Sequence, residues 1–467
     1  MSTDAKRVSL LMGLLFGLAG MGSSSAAVVL PVIADDFGTS VGVVTWTISL
    51  YTLMLAITTA VYGRISDLIG VRTPLAVGLA LMALGALGAA FAPNLGLLIA
   101  ARAAQGFGAA AIPTLGVAAL SARYDGDIRG AALARLAGAA AAVSCLGPLV
   151  GGVVEGALGW RAVMALPVLG LLVMPFIWHA LTTEGTGARL DIPGALLVMA
   201  ATGGIVLLLQ SPASGIQLAL VGIGLLVLGV PAVVAWVRRH PVGFLPKEVA
   251  TNLTVVRSAL AASAIPASWF ALLVGVPAVL VADGWETWHV GLLLLPSAAL
   301  ALVIPQYVGR VLARVGATRV LVGAAVVSAG AMLLAALGTA VDTPGVRLPL
   351  LVGTVIFTTV AFGVGQPSLS EAVSDAVRAP VRGVALGVAT LCFLLGGSIG
   401  AAVVGGIGDA FGIPVALGLL ALLPVAGVVI LLPELGDERR RAADEFEHAD
   451  GVRRSGGAYD AAPATLD

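Results

Sequence analysis

Long apolar runs separated by short polar interruptions set the pattern of the chain. A membrane helix needs about 20 mostly apolar residues. Fourteen runs have that character, at roughly 8–33, 42–62, 74–92, 95–120, 130–155, 160–181, 192–210, 215–237, 254–282, 287–308, 319–339, 348–370, 383–408 and 412–433. The first follows Lys6 and Arg7, as the apolar stretch of a signal peptide would. It is too long for one and thirteen runs follow it, so it reads as a retained span.

Composition agrees with the pattern. Of the 467 residues, 59% are hydrophobic and 11% are charged, against about 25% charged in a soluble domain. Mean hydropathy is +1.05. A water-soluble globule and a disordered chain are both excluded, since disorder needs low hydrophobicity. Two cysteines, Cys145 and Cys392, rule out a disulfide scaffold, and both lie inside apolar runs. The formal net charge is zero, so no nucleic-acid partner is implied. The expectation is an all-α polytopic protein of the plasma (inner) membrane, with the lipid bilayer as its partner.

Lysine and arginine orient the spans. With the N-terminus inside, the cytoplasmic set includes Lys6, Arg7, Arg64, Arg72, Arg123, Arg129, Arg189, Arg238, Arg239, Lys247, Arg310, Arg314, Arg319, Arg378, Arg382 and Arg439 to Arg441. The outer set is Arg161 and Arg347, among outer acids such as Asp35, Asp36, Asp283, Asp342 and Asp409. An even number of spans then puts both termini in the cytoplasm. Trp46, Trp160, Trp285 and Trp288 fall near the outer interface, and Trp178 and Trp236 near the inner one, where aromatic belts lie. The polar tail reads as disordered.

A weak repeat organises the chain. Gly63-Arg64-Ile-Ser-Asp67-Leu-Ile-Gly70 after the second run returns 246 residues later as Gly309-Arg310-Val-Leu-Ala313-Arg314-Val-Gly316. Arg129-Gly130-Ala-Ala-Leu133 at the fifth run returns 253 residues later as Arg382-Gly383-Val-Ala-Leu386. Six helices with their loops need fewer residues than that interval. The excess holds an inserted pair. The plan is 6 + 2 + 6: an N-terminal half over 1–185, the pair over 186–240, a C-terminal half over 241–434 and a tail over 435–467. Parallel halves of this kind are the plan of a secondary transporter, with substrate near the midplane between them.

The motifs carry a specific resemblance. Gly63 to Arg72, GRISDLIGVR, resembles the loop between helices 2 and 3 of the major facilitator superfamily. Leu98-Ile-Ala-Ala-Arg102-Ala-Ala-Gln105-Gly106 resembles its fourth-helix motif, and Leu146-Gly147-Pro148-Leu-Val-Gly151-Gly152 the fifth-helix motif of its antiporters. Fourteen spans, with Leu190-Asp191-Ile-Pro-Gly194 before the seventh, are similar to the fourteen-helix drug:proton antiporter branch. That branch holds exporters of tetracycline, puromycin, methylenomycin and cephamycin-type antibiotics. The resemblance implies the major facilitator fold and export of an antibiotic or related small amphiphilic metabolite in exchange for protons.

Arg102 stands well inside the fourth run, where a cation costs at least about 2.5–3.5 kcal/mol. It faces the protein interior or a wet cavity. It is either a structural cation held by carbonyls or a charge that couples protonation to substrate, and the resemblance implies the second. Gln105 lies one turn along on the same face. Pro148 has no N–H, so the carbonyl of Ser144 loses its helical partner and needs another. Gly147 and Gly151 permit close approach of another helix; by resemblance, these two with Pro148 and Gly152 mark exporters. Gly63, Arg64, Asp67, Gly70 and Arg72 form a solvated turn or a cytoplasmic gate, and the resemblance implies a gate. Polar candidates to line a cavity are Ser23, Ser24, Ser25, Thr45, Thr47, Ser49, Tyr51, Gln306, Tyr307 and Gln366, with Trp269 able to stack on a flat ligand.

The sequence departs from the antiporter pattern in one respect. No Asp or Glu stands in the middle of any run. Family acids of the first, fifth and thirteenth helices fall near Gly22, Ser144 and Gly397. Protons are then carried by an acid nearer an interface, Glu155 or Glu371, or coupling resides in the substrate's own ionisation with Arg102 attracting an anionic form. A permanently cationic drug is disfavoured, because no buried acid awaits it.

Other functions have little support. No Gly-x-x-x-x-Gly-Lys-Ser/Thr loop is present, and His179, His240, His289 and His448 are scattered singly, so neither an enzyme nor a metal site is expected. The coupling proton is the only cofactor expected. The chain is expected to work as a monomer. The alternative from another class is a lipid or glycolipid translocator of the same fold, which needs an apolar lateral groove in place of a polar cavity.

Overall fold

The computed structural model describes residues 3–181, 191–241, 243–378 and 381–436. Among these residues there is no strand, and fourteen helices are long and apolar enough to cross a membrane. They are α1 (Asp4–Val28), α2 (Val41–Ser66), α3 (Arg72–Ala90), α4 (Leu95–Arg123), α5 (Ile128–Leu158), α6 (Trp160–Ala180), α7 (Ile192–Ser214), α8 (Ile216–Arg239), α9 (Leu253–Ala282), α10 (Thr287–Val315), α11 (Ala317–Ala340), α12 (Pro344–Ala376), α13 (Arg382–Phe411) and α14 (Ile413–Gly436). Stretch 182–190, with Arg189, Leu190 and the expected boundary at 185, lies outside the described residues. So does the tail from 437 on, with Arg439 to Arg441 and His448.

The apolar runs marked the helices to within about seven residues but not the breaks inside them. The first run divides. Helix α1 ends at Val28, and Leu30–Phe37 is a separate helix that starts with Pro31 in its first turn and stops at Gly38. Gly38 has φ +60°, the left-handed conformation that glycine adopts at no steric cost. Apolarity does not register such a turn, because both segments are equally hydrophobic.

The repeat is visible in the backbone. Gly70 and Gly316, the last residues of the two related loops, both have positive φ, +78° and +88°. A second correspondence comes only from packing. A Cβ on Gly147 would fall 3.2 Å from the Met21 backbone, and one on Gly151 2.9 Å from that of Ser25, so α5 presses on α1. A Cβ on Gly396 would fall 1.8 Å from the Ser263 carbonyl and one on Gly400 1.9 Å from that of Ala267, so α13 presses on α9 in the same way. In each half a glycine pair four residues apart brings the fifth helix onto the first. Helix α5 is interrupted at Leu146, just before Pro148, whereas α13 runs unbroken.

The apolar cores differ at the two ends of the bundle. At the end that bears Asp36, one cluster joins both halves, from Ala26 to Leu30, Val44, Ile48 and Trp160 through Leu272, Leu293, Val403 and Leu417. At the opposite end, which bears Arg64 and Arg123, the larger clusters belong to one half each, and a small one beside α7 (Ala195, Phe244 and Leu391, with Ala60 and Val61) joins them. Met12, Leu75, Leu115, Leu136 and Ile177 belong to the first half alone, and Val255, Leu321, Val373, Phe393 and Leu431 to the second alone. The halves also meet along two seams, α2 against α13 and α5 against α10. The inserted pair packs against the first seam, with α7 touching α2 and α13 together.

Candidate functional site

Arg102 is fully buried in the first half, among α1, α2 and α4. Its Nε donates to the Thr47 carbonyl at 3.2 Å, and Nη1 donates to the Gly22 carbonyl at 3.3 Å and to Gln105 Oε1 at 2.7 Å. The guanidinium carbon lies 4.3 Å from the centre of the Tyr51 ring, within cation–π range. The Tyr51 hydroxyl in turn donates to the Ala19 carbonyl at 3.2 Å. The sequence pattern makes this possible: Arg102 and Gln105 are three apart on one helical face, and Tyr51 follows Thr47 by one turn of α2.

The arrangement is incomplete as a hydrogen-bonded set. Arg102 Nη2, Gln105 Nε2 and, on the residue whose carbonyl Arg102 meets, Thr47 Oγ1 are buried with no partner; Ser23 Oγ and Ser49 Oγ are also buried and unpaired, with no bond to Arg102. A buried unpaired polar group costs about 1–3 kcal/mol, more when charged. The cluster therefore offers fixed donors and hydroxyls, with no acid among Arg102's partners, to whatever group reaches it.

The other polar candidates are dispersed. Ser24 and Ser25 lie in the α1–α5 contact: Ser24 Oγ donates to the Ser144 carbonyl at 2.7 Å, and Ser25 Oγ to the Met21 carbonyl at 2.6 Å. Ser24 is thus the partner that the proline at 148 calls for. Trp269 packs on Phe362, ring centres 5.6 Å apart, within the core at the Asp36 end. Gln306, Tyr307 and Gln366 are exposed, in the second half. The structure does not bring them to Arg102 by any contact.

Glu155 and Glu371 are far apart in role. Glu155 sits on the α5–α10 seam, where its Oε2 accepts a hydrogen bond from Thr287 Oγ1 at 2.6 Å. Around it the seam is tight. A Cβ on Gly152 would fall 2.5 Å from the Thr287 carbonyl, and one on Gly291 2.6 Å from Leu149 Cα. So Gly147 and Gly151 serve α1, while Gly152 serves the opposite half. Beside this contact, a cavity of about 560 Å³ is lined by Val32, Glu155, Trp285, Glu286 and Trp288, among others. Glu371 is half-buried near the end of α12.

At the expected gate, Gly63 and Arg64 are half-buried in the last turns of α2. The Asp67 backbone is helical, and its side chain lies outside the described set. The Arg72 guanidinium carbon lies 5.1 Å from the Trp178 ring centre, linking α3 to α6.

Two polar residues have surroundings that the sequence did not show. Asp191 caps α7 through Gly194 N–H at 2.9 Å, and also accepts from Phe244 N–H at 2.7 Å and from the Trp236 indole at 3.0 Å. Burial alone would raise the Asp191 carboxyl, but the donors Phe244, Gly194 and Trp236 outweigh it and hold the group below the usual carboxylate range. The second is Gln210, fully buried in α7 with neither amide atom paired. Its signal was a lone amide closing an apolar run, which reads equally well as punctuation.

A family model of the Major Facilitator Superfamily matches residues 12–348. The multidrug resistance protein Stp of Mycobacterium tuberculosis (strain CDC 1551 / Oshkosh) is 27% identical over 325 residues, 66% of this chain and 59% of that protein. The chain thus spans less than two thirds of the length of that relative. The lincomycin resistance protein of Streptomyces lincolnensis is 33% identical over 182 residues, 37% of each chain. Among solved structures, a POT family transporter in complex with 5-aminolevulinic acid superposes with a TM-score of 0.67, covering 92% of this chain and 95% of that one at 13% identity.

Proposed function

The chain belongs to the Major Facilitator Superfamily, and from that premise we propose that it exports an antibiotic or related small amphiphilic metabolite in exchange for protons. The observation that carries the reading is Arg102, a fully buried cation with a free donor beside the free amide of Gln105. A charge left in that state at mid-span is expensive, and in membranes such residues mark transport pathways. The resistance proteins among its relatives support a drug as substrate.

Positive charge assigns the Arg64 end to the cytoplasm and the Asp36 end to the exterior of the plasma membrane. The large shared core lies outside, and inside the halves have separate cores that meet beside α7, so the exterior side is the more tightly closed. This is the state in which a substrate loads from the cytoplasm. Rocking of the halves then exchanges the sealed end. Substrates that carry an anionic group suit the donors around Arg102; a fixed cation meets no acid there. Glu155 stands at the closed external seam. A proton arriving on it would weaken the bond it accepts from Thr287 and favour opening on that side.

Efflux from a pump-deleted, antibiotic-sensitive bacterium tests this. The panel holds tetracycline, a cephamycin, lincomycin, puromycin and ethidium, each with and without a protonophore. The expected result is protonophore-sensitive export of anionic or zwitterionic members, lost in Arg102→Ala. Export of ethidium alone, or none from protein shown to be inserted, overturns it; the second result turns the search to lipids or glycolipids.

A further inference from the structure

We propose that the inserted helix pair is part of the moving machinery, with α7 a third member of the α2–α13 seam and Gln210 the residue that keeps the Asp36 end of that seam able to open. The inference rests on the alternating-access part of the reading above. It assigns work to a segment that otherwise only fills space between the halves.

Helix α7 follows the seam for its whole length. Near the Arg64 end, Ala195 and Val198 of α7 and Phe244 cluster with Ala60 and Val61 of α2 and with Leu391 and Leu395 of α13. Midway, Val206 and Met199 cluster with Leu53 and Ile57 of α2 and Ala402 of α13. Residues 195, 199, 206 and 210 share one helical face, and that face lies between one helix of each half. At the Asp36 end the contacts become polar and close. Trp46 Nε1 of α2 donates to Ser214 Oγ of α7 at 2.7 Å. On the other side, a Cβ on Gly406 of α13 would fall 1.9 Å from the Leu209 carbonyl of α7, so the two backbones touch. A Cβ on Gly405 would fall 3.1 Å from Gln210 Nε2 and 2.9 Å from Thr45 Cβ of α2. The three helices meet at that point, with the Gln210 amide enclosed.

The enclosed amide is the informative feature. Neither Oε1 nor Nε2 has a partner, so the closed seam bears the full desolvation cost of the group. Since α7 is bonded to α2 through Trp46, separation of α2 from α13 at this end draws α7 off Gly406. The amide then reaches water or freed backbone groups and the cost is relieved. Gln210 destabilises the closed seam relative to the open one, which prevents a three-helix contact built on glycines from locking shut. At the opposite end α7 is held differently, by Asp191 joined to Trp236 of α8 and to the Phe244 N–H. That clasp lets the pair move as a unit.

Two substitutions with opposite signs test the proposal. Spin labels are placed at Asp35→Cys and Phe411→Cys, exposed positions on the two halves at the Asp36 end, in a Cys145→Ala, Cys392→Ala background in lipid nanodiscs. Gln210→Leu keeps volume and removes the orphaned amide. The ratio of long to short distances is expected to fall by about fivefold to a hundredfold. Gly406→Ala pushes α7 from α13, and the long-distance fraction is expected to rise. Gly224→Ala, on α8 with nothing within 4 Å of the added Cβ, is expected to change nothing. Ratios for Gln210→Leu and Gly406→Ala both within twofold of the parent, or displaced in the same direction, overturn the proposal. No drug enters the measurement, so an incorrect substrate reading would fail in the efflux panel and leave these distances untouched.

Discussion

The two halves place similar helices at similar depths and bury opposite chemistry in them. In the first half, α4 carries Arg102 and Gln105 into the interior with two donors left free. The repeat intervals place Arg102 opposite Leu348 to Val355 of α12, a stretch without charge. There Thr354 Oγ1 only donates back to the Leu350 carbonyl of its own helix at 2.9 Å. The buried charges of the second half are paired with opposite charge instead, Glu434 of α14 with Arg257 of α9 at 2.9 Å and Arg347 of α12 with Asp283, and its neutral contact, Ser328 Oγ to Ser268 Oγ at 2.7 Å, lies near Trp269 and Phe362. The fifth helices diverge as well. Both ride on a glycine pair, but only α5 has the proline, the interruption and a carbonyl satisfied from α1. A duplicated backbone thus keeps its packing glycines while Arg102 and the kink stay in one copy. The first half holds a buried cation with no acid beside it, whereas the second pairs its buried charges.

The largest expected effect sharpens that contrast. Arg102→Met should abolish export while leaving the melting temperature unchanged or higher. A buried cation without a counter-ion carries a desolvation cost that methionine does not. Loss of fold together with loss of export would make Arg102 structural and erase the difference between the halves. In the same assays, Ser268→Ala with Ser328→Ala should leave export within about twofold and stability within about 1 kcal/mol, since one neutral hydrogen bond is lost with both its partners.

Ser24→Ala comes next. It removes the side-chain donor to the carbonyl that Pro148 frees, and should lower stability by about 1–2 kcal/mol in thermal unfolding. Adding Pro148→Ala to it should recover much of the loss, because the carbonyl regains its helical N–H. No recovery would mean that the kink, and not the carbonyl, is what Ser24 supports.

The smallest effect concerns the clasp on the inserted pair. Asp191 is held below its ordinary range, so the stability it contributes is present above the unfolded value of about 4 and is lost as pH falls through the folded one. Thermal unfolding of Asp191→Ala should therefore differ most from the parent at neutral pH and converge with it in acid. A gap of the same size at pH 3 would show that shape, and not charge, secures the clasp.

Hydrophobic pattern was enough for the number, order and approximate ends of the spans, because length and apolarity are what a bilayer demands of a helix. Motif spacing was enough to single out Arg102, Gln105 and the α5 glycines, since a charge or a proline in an apolar run is costly wherever the run ends up. Neither could say which neighbour meets the cost. That Ser24 answers Pro148, that Tyr51 faces Arg102, and that Gly152 turns to α10 while Gly147 turns to α1 depend on distances between residues far apart in the chain. The same holds for Gln210. As a letter it closes an apolar run, and it acquires meaning when α7 is laid between α2 and α13. Whether a polar atom is satisfied is a property of its surroundings, and those exist only once the helices are packed.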